Sequence, residues 1–282
     1  MPDIPLTIAG DDEVPDGGDV LLDGVIDGRQ YRFRLDTGAA RTELGTDEYT
    51  ATLPAAGRHE SAGVFGRSER SDIITIPGLV AGDLVLGPAE VVRAPAGDAR
   101  QHLLGLDLLS RYCCEFRFAS RQLILSGSPA AAAGLDLTLG PRGHIYVDLT
   151  WPGASALACW DSGAGVSAVD AAFAAAHPEL FAPAGTAIGT DSTSAQASTP
   201  LLTMAGPVIA GVQFAPSTVA VFDFGPLNAS AARRMNMIAG YPLLRQATWL
   251  FDLPARRCAA PVLTHETGNV AGSERGRSPR PG

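Results

Sequence analysis

A chain of 282 residues, 46% apolar and 18% charged, with 32 glycines and 21 prolines, has the make-up of a globular protein rich in strands and turns. It is long enough for one large domain or two lobes. Its net charge of −9, with 21 basic residues that are all arginine, argues against nucleic acid as a partner and removes chemistry that needs lysine, such as Schiff bases and Ser/Lys dyads.

From the N-terminus, MPDIPLTIAGDDEVPDGGDV offers neither the positive start nor the apolar run of a secretion signal. No later stretch reaches the ~18 apolar residues of a membrane span. A cytoplasmic location and no membrane partner are therefore expected. VLLDGVIDG, Val20 to Gly28, reads as a strand entering a tight turn, and FRLDTGAA, Phe33 to Ala40, as the strand that delivers Asp36. TDEYTATL follows as a short helical stretch. The glycine- and serine-rich AGVFGRSER, Ala62 to Arg70, then forms a hairpin containing Gly63, Phe65 and Gly66. LVLGPAEVV, Leu84 to Val92, gives paired strands around Pro88. A Leu-rich strand runs into Gly105 and a short helix with Asp107 in its first turn, and a closing hairpin turns at ASRQ. Cys113 and Cys114 are adjacent on a strand and point to opposite faces; with Cys159 and Cys258 they show no metal-ligand spacing and read as reduced core thiols, a Cys159–Cys258 bridge being the alternative.

After the link SGSPAAAAG, Ser126 to Gly134, the same series begins again. CWDSGAG, Cys159 to Gly165, places Asp161 at an offset of 125 from Asp36, and IYVDLTWPG falls on VLLDGVIDG at the same offset. VQFAPSTVA matches LVLGPAEVV at 128, and IAGYPLLRQATWLFDLPARRC matches LLGLDLLSRYCCEFRFASRQL at 135, so Gly105 faces Gly240, Phe116 faces Phe251 and Arg121 faces Arg256. Offsets that grow only between segments are what loop insertions produce. In this second copy DAAFAAAHPEL reads as a helix capped by Asp170, and IGTDSTSA, with Gly189 and Thr190, as the second hairpin tip. The chain is thus a tandem duplication of one mostly β lobe: residues 1–127, a linker 128–134, residues 135–263, and a polar tail 264–282 expected to be disordered.

Two copies of Asp-Thr/Ser-Gly-Ala, each followed roughly two-thirds of a lobe later by two apolar residues and a glycine, resemble the retropepsin-like and pepsin-like aspartic proteases. LDTGAARTEL and LLGLDLL are the more retropepsin-like features. The resemblance implies an all-β, bilobal acid-protease fold, two pseudo-twofold-related β-barrel-like lobes with short helices, each donating one aspartate to a shared cleft. It implies that Asp36 and Asp161 form a catalytic dyad, that Thr37 and Ser162 brace the two turns across the axis, and that Gly38 and Gly163 let backbone approach the carboxylates. Gly105 and Gly240 become structural glycines behind the site, and the hairpins at Gly63, Phe65, Gly66, Gly189 and Thr190 become candidate flaps, without the tyrosine of pepsin-like flaps.

Two carboxylates in contact cannot both ionise cheaply, so the pair shares one proton and supplies one acid and one base. Ala39 and Ala164 stand where a hydroxyl could lower the pair's pKa, which predicts a mildly acidic to near-neutral optimum. The expected activity is that of a monomeric endopeptidase acting on peptide or protein in extended form, with no metal and no other cofactor. The alternative is a catalytically idle module that binds an extended peptide or a protein partner. The histidines at 59, 102, 144, 177 and 265 form no helix-spaced metal pair and accompany no Gly-x-Ser-x-Gly elbow, which leaves metal and serine hydrolases with little support. His102 and Trp160 read as structural.

Overall fold

A computed structural model describes residues 2–62, 68–95, 102–127, 130, 133–190, 196–231 and 233–264. The first half carries β1 (Asp3–Pro5), β2 (Thr7–Gly10), β3 (Gly18–Ile26), β4 (Arg29–Leu35), β5 (Glu43–Leu44), β6 (Ala55–Ala62), β7 (Ser68–Ile76), β8 (Leu79–Ala81), β9 (Leu84–Leu86), β10 (Ala89–Arg93), β11 (His102–Leu104), α1 (Leu106–Leu109), β12 (Cys113–Arg117) and β13 (Gln122–Ser126). The second carries β14 (Leu135–Asp136), β15 (Thr138–Leu139), β16 (Ile145–Trp151), β17 (Ala154–Trp160), β18 (Ser167–Asp170), α2 (Ala171–Ala176), β19 (Phe181–Thr190), β20 (Gln196–Met204), β21 (Val208–Ile209), β22 (Val212–Gln213), β23 (Ser217–Phe222), α3 (Gly225–Ser230), β24 (Met237–Ala239), α4 (Tyr241–Leu244), β25 (Ala247–Asp252), β26 (Arg257–Cys258) and β27 (Val262–Leu263).

Two ten-stranded sheets repeat one topology. The first runs β6-β7-β10-β5-β11-β4-β3-β8-β9 with β2 on β3, and the second runs β19-β20-β23-β18-β24-β17-β16-β21-β22 with β15 on β16. Strand for strand, the second order is the first transposed by the sequence repeat, so the duplication is structural. In β4 the alternation is plain: Tyr31, Phe33 and Leu35 are buried on one face while Arg32 is exposed and Arg34 half-buried on the other, which carries the chain to Asp36 at the end of a firmly anchored strand.

A third sheet, β1-β13-β12-β25-β26-β14, joins the halves. At its centre β12 and β25 pair antiparallel with Glu115 opposite Leu250. Those two residues are also counterparts in the repeat, so the pseudo-twofold axis passes through that pair. Beneath it the core is continuous between the halves. Trp160, Trp249, Phe116 and Phe251 are among the largest fully buried side chains, with Phe116 and Trp160 ring centroids 4.7 Å apart. The structural reading of Trp160 fits this packing.

The tight turns also repeat. Arg121 (φ 56°) and Arg256 (φ 54°), counterparts at the ASRQ and PARR turns, both adopt the left-handed region. Two local expectations need correction. The helical stretch expected over TDEYTATL is a 3-10 helix confined to Thr50–Thr52, because Asp47 Oδ1 accepts from Thr50 N at 2.6 Å and closes the chain locally. Asp170 does precede α2, yet it makes no side-chain cap; its buried carboxylate takes the Phe224 N–H at 3.2 Å instead. Asp107 and Pro242 stand in the first turns of α1 and α4. All four cysteines are free thiols.

Candidate active site

Asp36 and Asp161 leave the ends of β4 and β17, each strand lying parallel to the short strand that returns beside it. The Asp36 N–H donates to Leu104 O at 3.0 Å, and the Asp161 N–H to Ala239 O at 2.9 Å. Behind these contacts the glycines Gly105 and Gly240 press against the turns. A Cβ on Gly105 would lie 2.6 Å from the Arg41 carbonyl carbon, and one on Gly240 would lie 2.6 Å from Ala164 O. The following helices are strapped to the same turns, Leu106 N to Ala39 O at 3.0 Å and Tyr241 N to Ala164 O at 2.9 Å.

Across the axis the two turns are bolted together by their hydroxyls. Thr37 Oγ1 donates to Trp160 O at 3.0 Å and accepts from Ser162 N at 3.0 Å. Ser162 Oγ donates to Leu35 O at 2.7 Å and accepts from Thr37 N at 3.2 Å. Both side chains are buried, which is where such bonds matter most, since a lost partner leaves a desolvated group behind.

The carboxylates lie against each other's turns. A Cβ on Gly38 would collide with the Asp161 carboxylate, and one on Gly163 with that of Asp36. Asp161 Oδ1 accepts from Gly163 N at 2.8 Å and from Gly38 N at 3.0 Å, so it is held from both lobes. Asp36 Oδ1 accepts from Ala39 N at 2.8 Å. Burial pushes the pKa of both acids up. For Asp36 the charge of Asp161 adds to the rise, while for Asp161 the two backbone N–H groups and then His144 and Arg34 pull the other way.

Three contributors were not read from the sequence as site residues. Thr42 and Ser167, both buried, are repeat counterparts whose hydroxyls accept from Gly105 N at 3.1 Å and Gly240 N at 3.0 Å. The third, His144, reaches from the second half to the first: its Nε2 lies 3.0 Å from Gly38 O and, since a carbonyl only accepts, it donates. Burial lowers its pKa. The signal in the sequence was its alignment with Asp19, whose Oδ2 pairs with Arg34 Nη2 at 2.8 Å and whose Oδ1 would lie 3.1 Å from a Cβ on Gly165 in the other turn.

Of the candidate flaps, Gly63, Phe65 and Gly66 lie outside the described residues. β6 and β7 form a hairpin leading to them, with Ala62 opposite Ser68. In the second half Gly189 and Thr190 are placed on the β19–β20 ladder opposite Ala197 and Gln196. His102 is structural: its Nδ1 accepts from Gly45 N at 2.9 Å and its ring packs edge-on to Tyr31.

No protein-family model matches the sequence, and the comparison with curated proteins gives no match. Among solved structures, the chain is similar to the aspartic proteinase from Irpex lacteus, with a TM-score of 0.56 and 14% identity, over 95% of this chain and 99% of that one. With two duplicated β lobes and an aspartate turn from each meeting on the axis between them, the chain has the fold of the pepsin-like aspartic proteinases.

Proposed function

We propose that this protein is an aspartic endopeptidase that hydrolyses peptide bonds with water activated between Asp36 and Asp161. The observation that carries the reading is the mutual packing of the two carboxylates, each against the other lobe's turn. Asp161, with two N–H donors on one oxygen, is the better-stabilised anion; Asp36, raised by burial and by the Asp161 charge, keeps the shared proton. Asp161 then takes a proton from the water as it attacks, while Asp36 donates its proton to the substrate carbonyl oxygen. As the tetrahedral diol collapses and the C–N bond breaks, Asp161 gives the proton it took from water to the leaving nitrogen, and Asp36 takes back a proton from one diol oxygen, which restores the starting pair. An extended chain lying between the turns and the hairpins is the substrate this geometry suits, and one molecule carries the whole dyad.

Proton sharing also sets the working pH. Only the singly protonated pair is active, and burial with mutual repulsion moves its range upward from the ordinary carboxylate value. Ala39 and Ala164 add no hydroxyl to reverse this. Activity should peak between mildly acidic and neutral pH; a rate still climbing at pH 3 with the protein folded contradicts the assignment.

The direct test is cleavage of a mixed peptide library, followed by mass spectrometry, for the wild type, Asp36→Asn and Asp161→Asn, with and without pepstatin. Each substitution should cost about 10²- to 10⁴-fold in rate, the range for loss of a positioned acid or base. Turnover that survives both substitutions overturns the mechanism, and tight peptide binding without turnover in the wild type turns the reading to a peptide-binding module.

A further inference from the structure

Arg41, Arg111 and Arg142 line a cavity of about 490 Å³ beside the Asp36 turn. Its walls come from three directions. Ala40 and Arg41 continue the turn itself, and His59 stands on β6 of the overlying hairpin. Arg142 comes from the other half, two residues before the histidine that holds the Gly38 carbonyl. None of the three arginines makes an ion pair or hydrogen bond among the described residues. His59 is held toward its neutral form by burial and then by the charges of Arg41 and Arg142, with Asp107 opposing. Two acids share the lining. Asp107 has Oδ1 committed to Thr42 N, Thr42 Oγ1 and Leu108 N, and burial holds it toward its neutral form; Glu90 is exposed. Three guanidinium groups therefore share the lining with two acids, one of which is held toward its neutral form.

The duplication supplies an internal control. By the repeat offsets, Arg41, Arg111 and Arg142 correspond to Val166, Gln246 and Gly17, which carry no charge. That side is also closed. Val14 is 2% exposed and packs on Leu201 and Ala220, and Asp16 Oδ2 takes the Thr218 N–H at 2.9 Å. The closing loop, residues 11–17, joins β2 to β3; its counterpart joining β15 to β16, residues 140–144, is two residues shorter and leaves the cavity open. Of two related positions flanking the dyad, one is neutral and filled by the chain itself, and the other is cationic and left unfilled by the described residues.

We propose that the open cavity is a specificity subsite that takes a carboxylate of the substrate, from an acidic side chain a few residues from the scissile bond, on planar guanidinium groups suited to two-point binding. The proposal rests on the proteolytic reading above. An extended substrate between the turn and the hairpin projects alternate side chains to either side, and one of them enters this cavity.

The test separates the two ideas by measuring binding without turnover. Full-length Asp36→Asn protein is titrated into labelled neutral octapeptides in which Asp or its isostere Asn is placed at each position in turn, with free or amidated C-termini, at pH 7 and low salt. One internal position should show Asp bound about tenfold or more tighter than Asn, a preference that shrinks with added salt and collapses toward unity in Arg41→Gln and in the exposed Arg142→Gln. A preference that follows only the free C-terminus replaces the acidic side chain with a terminal carboxylate as the ligand and overturns the side-chain claim. Equal binding of every Asp and Asn pair, or a preference that survives both substitutions, overturns the subsite while leaving hydrolysis standing if the wild type cleaves the library. Selective acidic binding with no cleavage by the wild type keeps the subsite and removes the enzyme. Failure of every peptide to bind or be cleaved removes both.

Discussion

Thr37 shows how much one hydroxyl can hold. It joins a donor bond to Trp160 O with an acceptor bond from Ser162 N, in a place without solvent to replace either. Thr37→Val keeps the shape and strands both partners, which should cost about 2–4 kcal/mol in urea denaturation; Thr37→Ser should cost less than about 1 kcal/mol. Equal losses would show that the bonds are incidental to the packing. Gly38 is pinned in a similar way, its N–H on Asp161 and its carbonyl on His144, so His144 acts as a positioning residue through that peptide unit. His144→Ala should lower kcat by roughly two- to tenfold with little change in KM, as expected when a reacting group is held less well. The dyad itself opposes folding at higher pH. Its folded pKa values lie above the unfolded carboxylate value, so the folded state binds more protons, and the stability present below the unfolded value is lost as pH rises through the folded one. Asp36→Asn removes this penalty. Its Tm should exceed that of the wild type at pH 7–8 by about 2–4 °C, what ~1 kcal/mol is worth in a chain of this size, and the gain should vanish near pH 4. A gain of the same size at both pH values would mean that the substitution acts through packing.

At the scale of elements, the glycine that ends each short return strand is a matter of room. Gly105 has φ −99° and ψ −176°, an extended conformation open to any residue, but its Cα faces the backbone of the Asp36 turn. Gly105→Ala should therefore push that turn away, costing about 1–3 kcal/mol and at least tenfold in activity, with Gly240→Ala behaving alike on the other side. Retained activity in either variant would show that the turns can yield. These features were legible in the sequence because they are local demands: a strand period, a turn residue, a glycine at a close approach, all written twice. The duplication made the two-lobed plan and the pairing of Asp36 with Asp161 readable in advance, while the order of strands within each sheet came only from the structure. Features made by meetings between distant segments were not. His144 reaches Gly38 over 106 positions of sequence, and the arginine cavity draws on residues from both halves with no shared motif. Asp170 had the right residue type for a helix cap, but tertiary contact with Phe224 won its carboxylate. TDEYTATL is helical only at Thr50–Thr52, where Asp47 and Thr50 bond each other's backbone, a competition that composition alone does not resolve.

For the whole molecule, the joining sheet explains why two unlike halves belong together. The pseudo-twofold axis passes between Glu115 and Leu250, so each of these residues meets its own counterpart. If the first half paired with a second copy of itself in the same way, Glu115 would face Glu115, and like charges opposed across strands are destabilising, even with Arg117 bound to each carboxylate at 2.8–2.9 Å. The natural pairing replaces one of those charges with leucine, over a shared aromatic core of Phe116, Trp160, Trp249 and Phe251. Separately produced halves, divided within residues 128–134, should therefore combine with each other in preference to themselves, and only the mixture should cleave peptide, since each half brings one aspartate. Glu115→Leu in the isolated first half should strengthen its self-association by about tenfold, the effect of relieving one like-charge contact and gaining an apolar one, each worth up to ~1 kcal/mol. Sedimentation of the two forms reads this directly. If wild-type and Glu115→Leu first halves associate with the same constant, the charge at the axis does not direct pairing, and the preference for unlike halves must come from the core rings beneath it.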